Sequence, residues 1–156
     1  MGNLTFSVAL IRKTQNQTLR WLARLNPSTL QLDFVVGQRL EDESYREAAT
    51  REVAWQLGLD RSRDFLVSNM AQMNLEFVDL LPGQYEESLN QVAFYNVEIY
   101  RSKVIEMLDE DSANIWVNSE EICNGVTDCG RRLNPVIPYL INRSSVIQSW
   151  DSFTGN

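Results

Sequence analysis

The chain contains no histidine. That absence removes imidazole as a general base and as a metal ligand, so any metal here must be held by oxygen or sulfur. Cysteine is scarce: Cys123 and Cys129, both in the stretch CNGVTDC, are the only 2 in 156 residues. With no secretion signal ahead of them they read as plain thiols and not as a disulfide framework. Positive charge is also short. Lys and Arg total 14 against 21 Asp and Glu, which gives a formal net charge of -7 and a sequence pI near 4.6. Proteins that grip a phosphate backbone usually carry a clustered basic surface, so no nucleic-acid partner is expected. Long apolar runs are missing too: no segment approaches the ~20 apolar residues of a membrane span. The first residues, MGNLTFSVALIRK, lack a basic region followed by an apolar stretch. Met1-Gly2 does not open a myristoylation pattern, because Phe6 stands where Ser or Thr is required. The expectation is a soluble, cytoplasmic protein with no membrane partner. A hydrophobic content of 44% over 156 residues is enough for one core, and so for a single domain over residues 1–156.

What is present is a regular alternation of elements. Thr5 to Arg12 and Thr18 to Leu25 are strand-like runs separated by the polar stretch Lys13 to Gln17, the pattern of an antiparallel hairpin. A third run, Leu30 to Val36, leads into Gly37. From Ser44 to Leu57 the period changes: Ala48, Ala49, Val53 and Leu57 recur at helical spacing, and Gly58 is a natural stop. Phe65 to Asn69 and Leu75 to Leu80 look extended, Pro82 to Ser88 looks like a loop, and Gln91 to Tyr100 reads as a long strand. Arg101 to Leu108 suggests a short helical turn, Asn114 to Val117 a short strand, Ser119 to Ile122 a helix start, and Pro135 to Trp150 a C-terminal helix. Strands on both sides of a central helix, with another helix at the end, predict an α/β sandwich around a mixed sheet.

The most informative segment is Gly37 to Leu59, GQRLEDESYREAATREVAWQLGL: a glycine, five residues, Glu43, seven residues, then Arg51-Glu52-Val53, closed by Gly58-Leu59. Glu47 and Arg51 lie one turn apart, where an ion pair can form, and Glu43 sits at the helix entrance near unsatisfied N–H groups. This skeleton resembles the Nudix box of the Nudix hydrolases. The resemblance extends to SVALIRK with TLRWLARL before the box, and to QVAFYNVEIY and NIWVNSEEI after it, covering roughly Thr5 to Arg143. It implies a Nudix-like α/β/α sandwich around a mixed β-sheet. It also implies magnesium or manganese bridging box glutamates to a substrate diphosphate, and a frequent tendency to form homodimers.

The departures from the family pattern are concentrated where the metal should sit. The pattern continues Arg-Glu-apolar-any-Glu-Glu, but here the last two places hold Trp55 and Gln56. Glu52, Trp55 and Gln56 are at i, i+3 and i+4, on one helix face. Magnesium requires hard oxygen ligands, and that face keeps one carboxylate, one amide and an indole. Val35-Val36 replace the Pro-Gly common before the box glycine, and Leu40 replaces an acidic residue three places after it. Side chains at such positions obstruct the close approach of a phosphate to the backbone.

The candidate site residues therefore divide between two readings. In the first, the metal site is impaired and the chain is a binding or regulatory module for a nucleotide derivative or a protein, with no required cofactor. Arg24 and Arg39 then take over phosphate binding in place of metal, against a plainer role as solubilising charge. In the second, an irregular site of Glu52, Gln56 and Glu110 still hydrolyses a nucleoside diphosphate-linked compound with magnesium or manganese, Glu52 and Glu110 being catalytic. Trp55 is expected as a filler against the sheet or a partner chain in preference to a stacking platform. Trp21 and Trp116 are expected in strand cores. Glu110, in the acidic stretch DED, and Glu86 with Glu87 are equally well explained as solvated surface.

Overall fold

The computed structural model describes residues 4–79 and 88–152. Eight strands form one mixed sheet and four helices cover it among these residues. The strands are β1 (Thr5–Gln15), β2 (Thr18–Leu25), β3 (Leu32–Asp33), β4 (Val35–Gln38), β5 (Leu66–Val67), β6 (Met73–Asp79), β7 (Ser88–Glu98) and β8 (Asn114–Val117). The helices are α1 (Tyr45–Leu57), α2 (Ser102–Glu110), α3 (Ser119–Asn124) and α4 (Val136–Ser144).

At the centre β1 and β7 run parallel, in register from Thr5 opposite Gln91 to Arg12 opposite Glu98. Among the described residues the other pairings between these strands are antiparallel. The apolar run of β1 follows from burial on both faces. Val8 and Leu10 enter one core with Trp21, Phe94, Ile122, Leu140 and Ile141, against α3 and α4. Ala9 and Ile11 enter the other with Val53, Leu57, Val97, Val104 and Leu108, against α1 and α2. The expected α/β/α sandwich around a mixed sheet is the observed architecture.

Several elements differ from their predicted bounds, each for a local reason. β1 runs on to Gln15, because Asn16 and Gln17 (φ 53° and 64°) make a two-residue turn whose twist suits a hairpin. The run from Leu30 to Val36 is not one strand. Leu30 takes a left-handed φ of 60°, β3 pairs with β2, and the chain then crosses at Phe34 so that β4 pairs with β1. Gly37 accordingly lies inside a strand and not in a loop. The stretch from Phe65 to Asn69 contributes only Leu66–Val67. α2 is a helix of 9 residues, longer than a turn. The C-terminal helix stops at Ser144, where Ser145 adopts φ 58° and donates its N–H to Ile141 O. Beyond it the chain folds back onto α3: Ser119 N–H donates to Ser152 Oγ at 2.7 Å, and Ser119 Oγ donates to Ser149 O at 2.8 Å. The predicted loop from Pro82 lies outside the described residues up to Glu87, as do Glu86 and Glu87 themselves. Among the described residues no helix is long and apolar enough to cross a membrane.

Candidate functional site

The box helix is set on the sheet by small residues. Gly37 of β4 faces Ala48 of α1 so closely that an added Cβ would stand 2.6 Å from the Ala48 carbonyl oxygen and 2.9 Å from Glu52 Cγ. Ser7 of β1 donates its hydroxyl to Tyr45 O at 2.6 Å, fixing the first turn. Ser44 caps that turn: its Oγ accepts from Glu47 N–H at 3.0 Å, and the Glu47 carboxylate accepts from Ser44 N–H at 3.4 Å. This capping box satisfies two orphan N–H groups and takes up Glu47. The expected Glu47–Arg51 pair does not form, because Glu47 is turned back to the cap.

Arg51 is directed instead toward the loop. Its Nε and Nη2 donate to the two oxygens of Glu43 at 2.8 and 3.0 Å, and Nη2 also donates to Gln38 O at 2.8 Å. Glu43 in turn accepts from Leu40 N–H at 3.0 Å, so it secures the loop and not the helix N–H groups. The Arg51 hydrogen bond holds the Glu43 carboxyl below its ordinary range, and the same pairing raises Arg51.

Glu52 is drawn into this network on both oxygens. Oε2 accepts from Arg51 Nη1 in a charged hydrogen bond, and Oε1 accepts from Gln56 Nε2 at 3.1 Å. A carboxylate only accepts, so the Gln56 amide must turn its NH2 toward Glu52 and its carbonyl away. Gln56 thus contributes a donor at a place where a metal needs an oxygen. Trp55 does not fill a core: its residue surface is 82% exposed, so it does not pack against the sheet. The reason is angular. At about 100° per residue, Trp55 points roughly 200° away from Val53, off the stripe of Ala48, Ala49, Val53 and Leu57. Among the described residues no group of three or more Cys, Asp or Glu side chains is gathered as a metal site. Magnesium or manganese would meet one carboxylate already held by a guanidinium and an amide N–H, and these residues do not fit the ion.

The other predicted site residues are dispersed. Arg24 of β2 pairs with Asp111 at 3.7 Å. Arg39 donates to Glu43 O at 3.2 Å and lies 5.1 Å from the Tyr45 ring centroid. Glu110 is exposed at the end of α2 and makes no hydrogen bond or ion pair to Glu52 or Gln56. Its neighbours are occupied elsewhere: Asp109 accepts from the Trp116 indole N–H at 2.7 Å, and Lys13 stands 4.5 Å over that ring. Trp21 is buried as expected, whereas Trp116 is only half-buried.

A cavity of about 390 Å³ opens at the β4 edge of the sheet, between the last turn of α1 and the first turns of α4. Its walls are mainly Phe6, Val8, Phe34, Phe94, Leu140 and Ile141, and its polar groups are Asp33, Gln56 and Asn134. Sequence reasoning found Gln56 but missed Asp33 and Asn134. A lone charge within the apolar stretch LQLDFVV was the available signal for Asp33. Nothing local marked Asn134, which reaches the pocket through a loop following a bridge between Leu32 and Leu133.

The two thiols are free and unequal. Cys129 is exposed, and a hydrogen bond with the Thr127 hydroxyl (3.2 Å), then the Arg131 N–H, lower its pKa. Burial raises that of Cys123, helped by Asp151. Since thiolate is the reactive form, iodoacetamide at pH 8 is expected to label Cys129 about tenfold or more ahead of Cys123, as read by peptide mass mapping. Equal labelling would contradict the difference in environment.

No family model and no curated protein matches the sequence. Solved structures do match. The chain is similar to the M. smegmatis Nudix hydrolase RenU at 13% identity, covering 92% of this chain and 84% of that one, with a TM-score of 0.56. It is similar to the E. coli dihydroneopterin triphosphate pyrophosphohydrolase at 14% identity, covering 92% and 97%, TM-score 0.57. It is also similar to the Shewanella oneidensis NrtR at 13% identity, covering 90% of this chain and 61% of that one, TM-score 0.63. The latter protein has also been solved with a 27mer DNA. These likenesses show that the chain has the Nudix fold.

Proposed function

We propose that this chain is a Nudix-fold binding module in which metal-dependent hydrolysis has been given up. The observation that carries this reading is the engagement of Glu52: Arg51 holds one carboxylate oxygen and the Gln56 amide N–H the other. A divalent cation would have to displace a guanidinium and gain only one carboxylate in return, with Trp55 and Gln56 supplying none. Metal catalysis needs the ion fixed with open coordination positions and a shaped cavity around it. The pocket beside Gln56 remains, so ligand binding outlives the chemistry in this reading.

The alternative, an irregular hydrolase using Glu52, Gln56 and Glu110, gains no support from the geometry, because Glu110 makes no hydrogen bond or ion pair to the other two. Phosphate binding by Arg24 and Arg39 in place of the metal would have to compete with contacts inside the chain. Both have intramolecular partners, Arg24 in Asp111 and Arg39 in the Glu43 carbonyl and Tyr45 ring. Trp55 stays available for contact with a second copy of the chain, as the frequent dimerisation of the family would use it.

The direct test is phosphate release from ADP-ribose, after phosphatase coupling, with magnesium or manganese present. The expected result is no metal-dependent release above buffer. Turnover by the purified protein, lost in Glu52→Gln, would replace the module with the hydrolase.

A further inference from the structure

A second cavity, of about 700 Å³, lies over the pairing of β6 with β7 and against the first turn of α1. It is on the other face of the sheet from the cavity beside Gln56. Side chains alternate along β7, so Phe94 enters the core under α4 and Tyr95 the core under α1. Tyr95 is only 8% exposed, and its hydroxyl, on the wall of this cavity, has no hydrogen-bond partner among the described residues. A buried O–H left unpaired costs free energy, so this one points to a ligand that pairs it. Burial raises the pKa of the phenol, with Arg46 lowering it in part, so at neutral pH it is an intact donor.

The other end of the cavity is negative. Glu76 stands opposite Gln91 in the ladder and is the single charged residue of the lining. Tyr45 donates its hydroxyl to Gln91 Oε1 at 3.1 Å, and Gln91 Nε2 donates to Glu76 Oε1 at 3.0 Å, a chain that orients the carboxylate. Glu76 Oε2 accepts from none of the described residues. The neighbouring cations are held outside the walls: Arg46 donates to Val67 O at 2.8 Å and Ser68 O at 3.0 Å, and Arg39 to Glu43 O at 3.2 Å. Gln91 and Tyr95 are separated by roughly 13 Å of strand, and the apolar wall between the two ends comes from Ala71 and Leu75. A volume of about 700 Å³ is within the range of roughly 300–1,000 Å³ typical of small-molecule sites.

We propose that this cavity binds a small aliphatic amine that carries one ammonium group and, at its other end, a neutral carbonyl. The ammonium donates to Glu76 Oε2 and to the phenol oxygen of Tyr45, the stem lies against Ala71 and Leu75, and the carbonyl accepts from the Tyr95 O–H. Charge sets this polarity. A carboxylate in place of the carbonyl would find no Lys or Arg in the lining, and a second ammonium would face Arg46 at the Tyr95 end. The site is separate from the Glu52 face, so it stands whether or not metal-dependent hydrolysis persists there.

The experiment is calorimetric titration of the full chain with N-acetylputrescine and with N-butylacetamide, the same molecule without its ammonium. Physiological salt screens the general attraction of cations to a chain of net charge -7. N-acetylputrescine is expected to bind at millimolar concentration or below, and N-butylacetamide about tenfold or more weaker. Glu76→Gln, at an exposed strand position, is expected to weaken N-acetylputrescine about tenfold or more, and Tyr95→Phe about threefold or more. Tyr95→Phe should also leave the melting temperature of the free chain unchanged, because its hydroxyl has no partner inside the fold; a purely structural hydroxyl would shift the melting temperature and not the affinity. The proposal is overturned by no binding of N-acetylputrescine at millimolar concentration, by N-butylacetamide binding as tightly, or by unchanged affinity in either folded variant.

Discussion

Gly37→Ala is expected to lower the unfolding free energy by about 3–4 kcal/mol, at the upper end of what overpacking costs. The new methyl would meet the Ala48 carbonyl oxygen at 2.6 Å and Glu52 Cγ at 2.9 Å. The first is backbone of a helix held down by the Ser7 hydroxyl and the Ser44 cap, so it cannot swing aside as a side-chain end would. Relief requires lifting α1 from β4, which opens the core around Val35, Ala49 and Val53. Gly58, the other box glycine, provides the control. It has φ 66° and nothing within 4 Å of its would-be Cβ, so Gly58→Ala should cost only the conformational penalty of about 1 kcal/mol. Denaturant unfolding of both variants decides the matter: a Gly37→Ala loss no larger than that of Gly58→Ala would mean the seam between helix and sheet is loose. The glycine of the motif is thus explained by helix seating, with no phosphate required.

The second large effect concerns Arg51. Arg51→Met removes the guanidinium that joins Glu43, Glu52 and Gln38 O, and leaves two carboxylates near one another with no cation between them. Breaking a fully buried pair costs about 3–5 kcal/mol. Arg51 is 33% exposed in its side chain and Glu43 14%, so about 2–3 kcal/mol is expected at pH 7. The pH dependence gives a separate check. Glu43 has its pKa depressed in the folded state below the ordinary 4.5, first by the Arg51 hydrogen bond. A depressed carboxyl contributes stability that is complete above its unfolded pKa and is lost as pH falls through the folded value. The difference between wild type and Arg51→Met should therefore be constant near neutrality and shrink below pH 4.5. A difference that grew on acidification would contradict the pairing.

Much of the frame was legible because it depends on short-range patterns. Ala48, Ala49, Val53 and Leu57 with Gly58 marked α1, and β2 was read at its observed bounds, since hydrophobic period and a left-handed stop are local properties. The two-sided core explains why β1 showed no alternation yet was still a strand. What escaped was competition between partners. Spacing alone favoured Glu47 for Arg51, but Ser44 recruits Glu47 as a cap, and the loop turn at Asp42 (φ 65°) brings Glu43 to the guanidinium instead. Of the two places expected for Trp55, the sheet and a partner chain, the sheet fails although its angle on the helix was available, because apolar character was weighed above phase. The pocket was not legible at all: its walls come from β1, β3, β4, β7, α1 and α4, and only the folded sheet brings Asp33, Gln56 and Asn134 to one cavity.

In the binding-module reading, likeness in fold to Nudix enzymes and an impaired metal face are compatible, because folds outlast the chemistry grafted on them. With Trp55 and Gln56 in place, α1 is held by its cap, its small-residue seam and the Arg51 network. Because Trp55 and Gln56 are uncharged, the Glu52 face avoids the repulsion that three adjacent carboxylates suffer without a cation.

The measurement that bears most directly on this is manganese binding by electron paramagnetic resonance, in which bound Mn2+ loses the free-ion signal. Wild-type protein titrated to millimolar Mn2+ should leave the free-ion signal unchanged, whereas the folded double variant Trp55→Glu, Gln56→Glu should bind the ion, having regained two carboxylates and released Glu52 from the amide. Stoichiometric Mn2+ binding by the wild type, abolished by Glu52→Gln, would contradict the loss of the metal site.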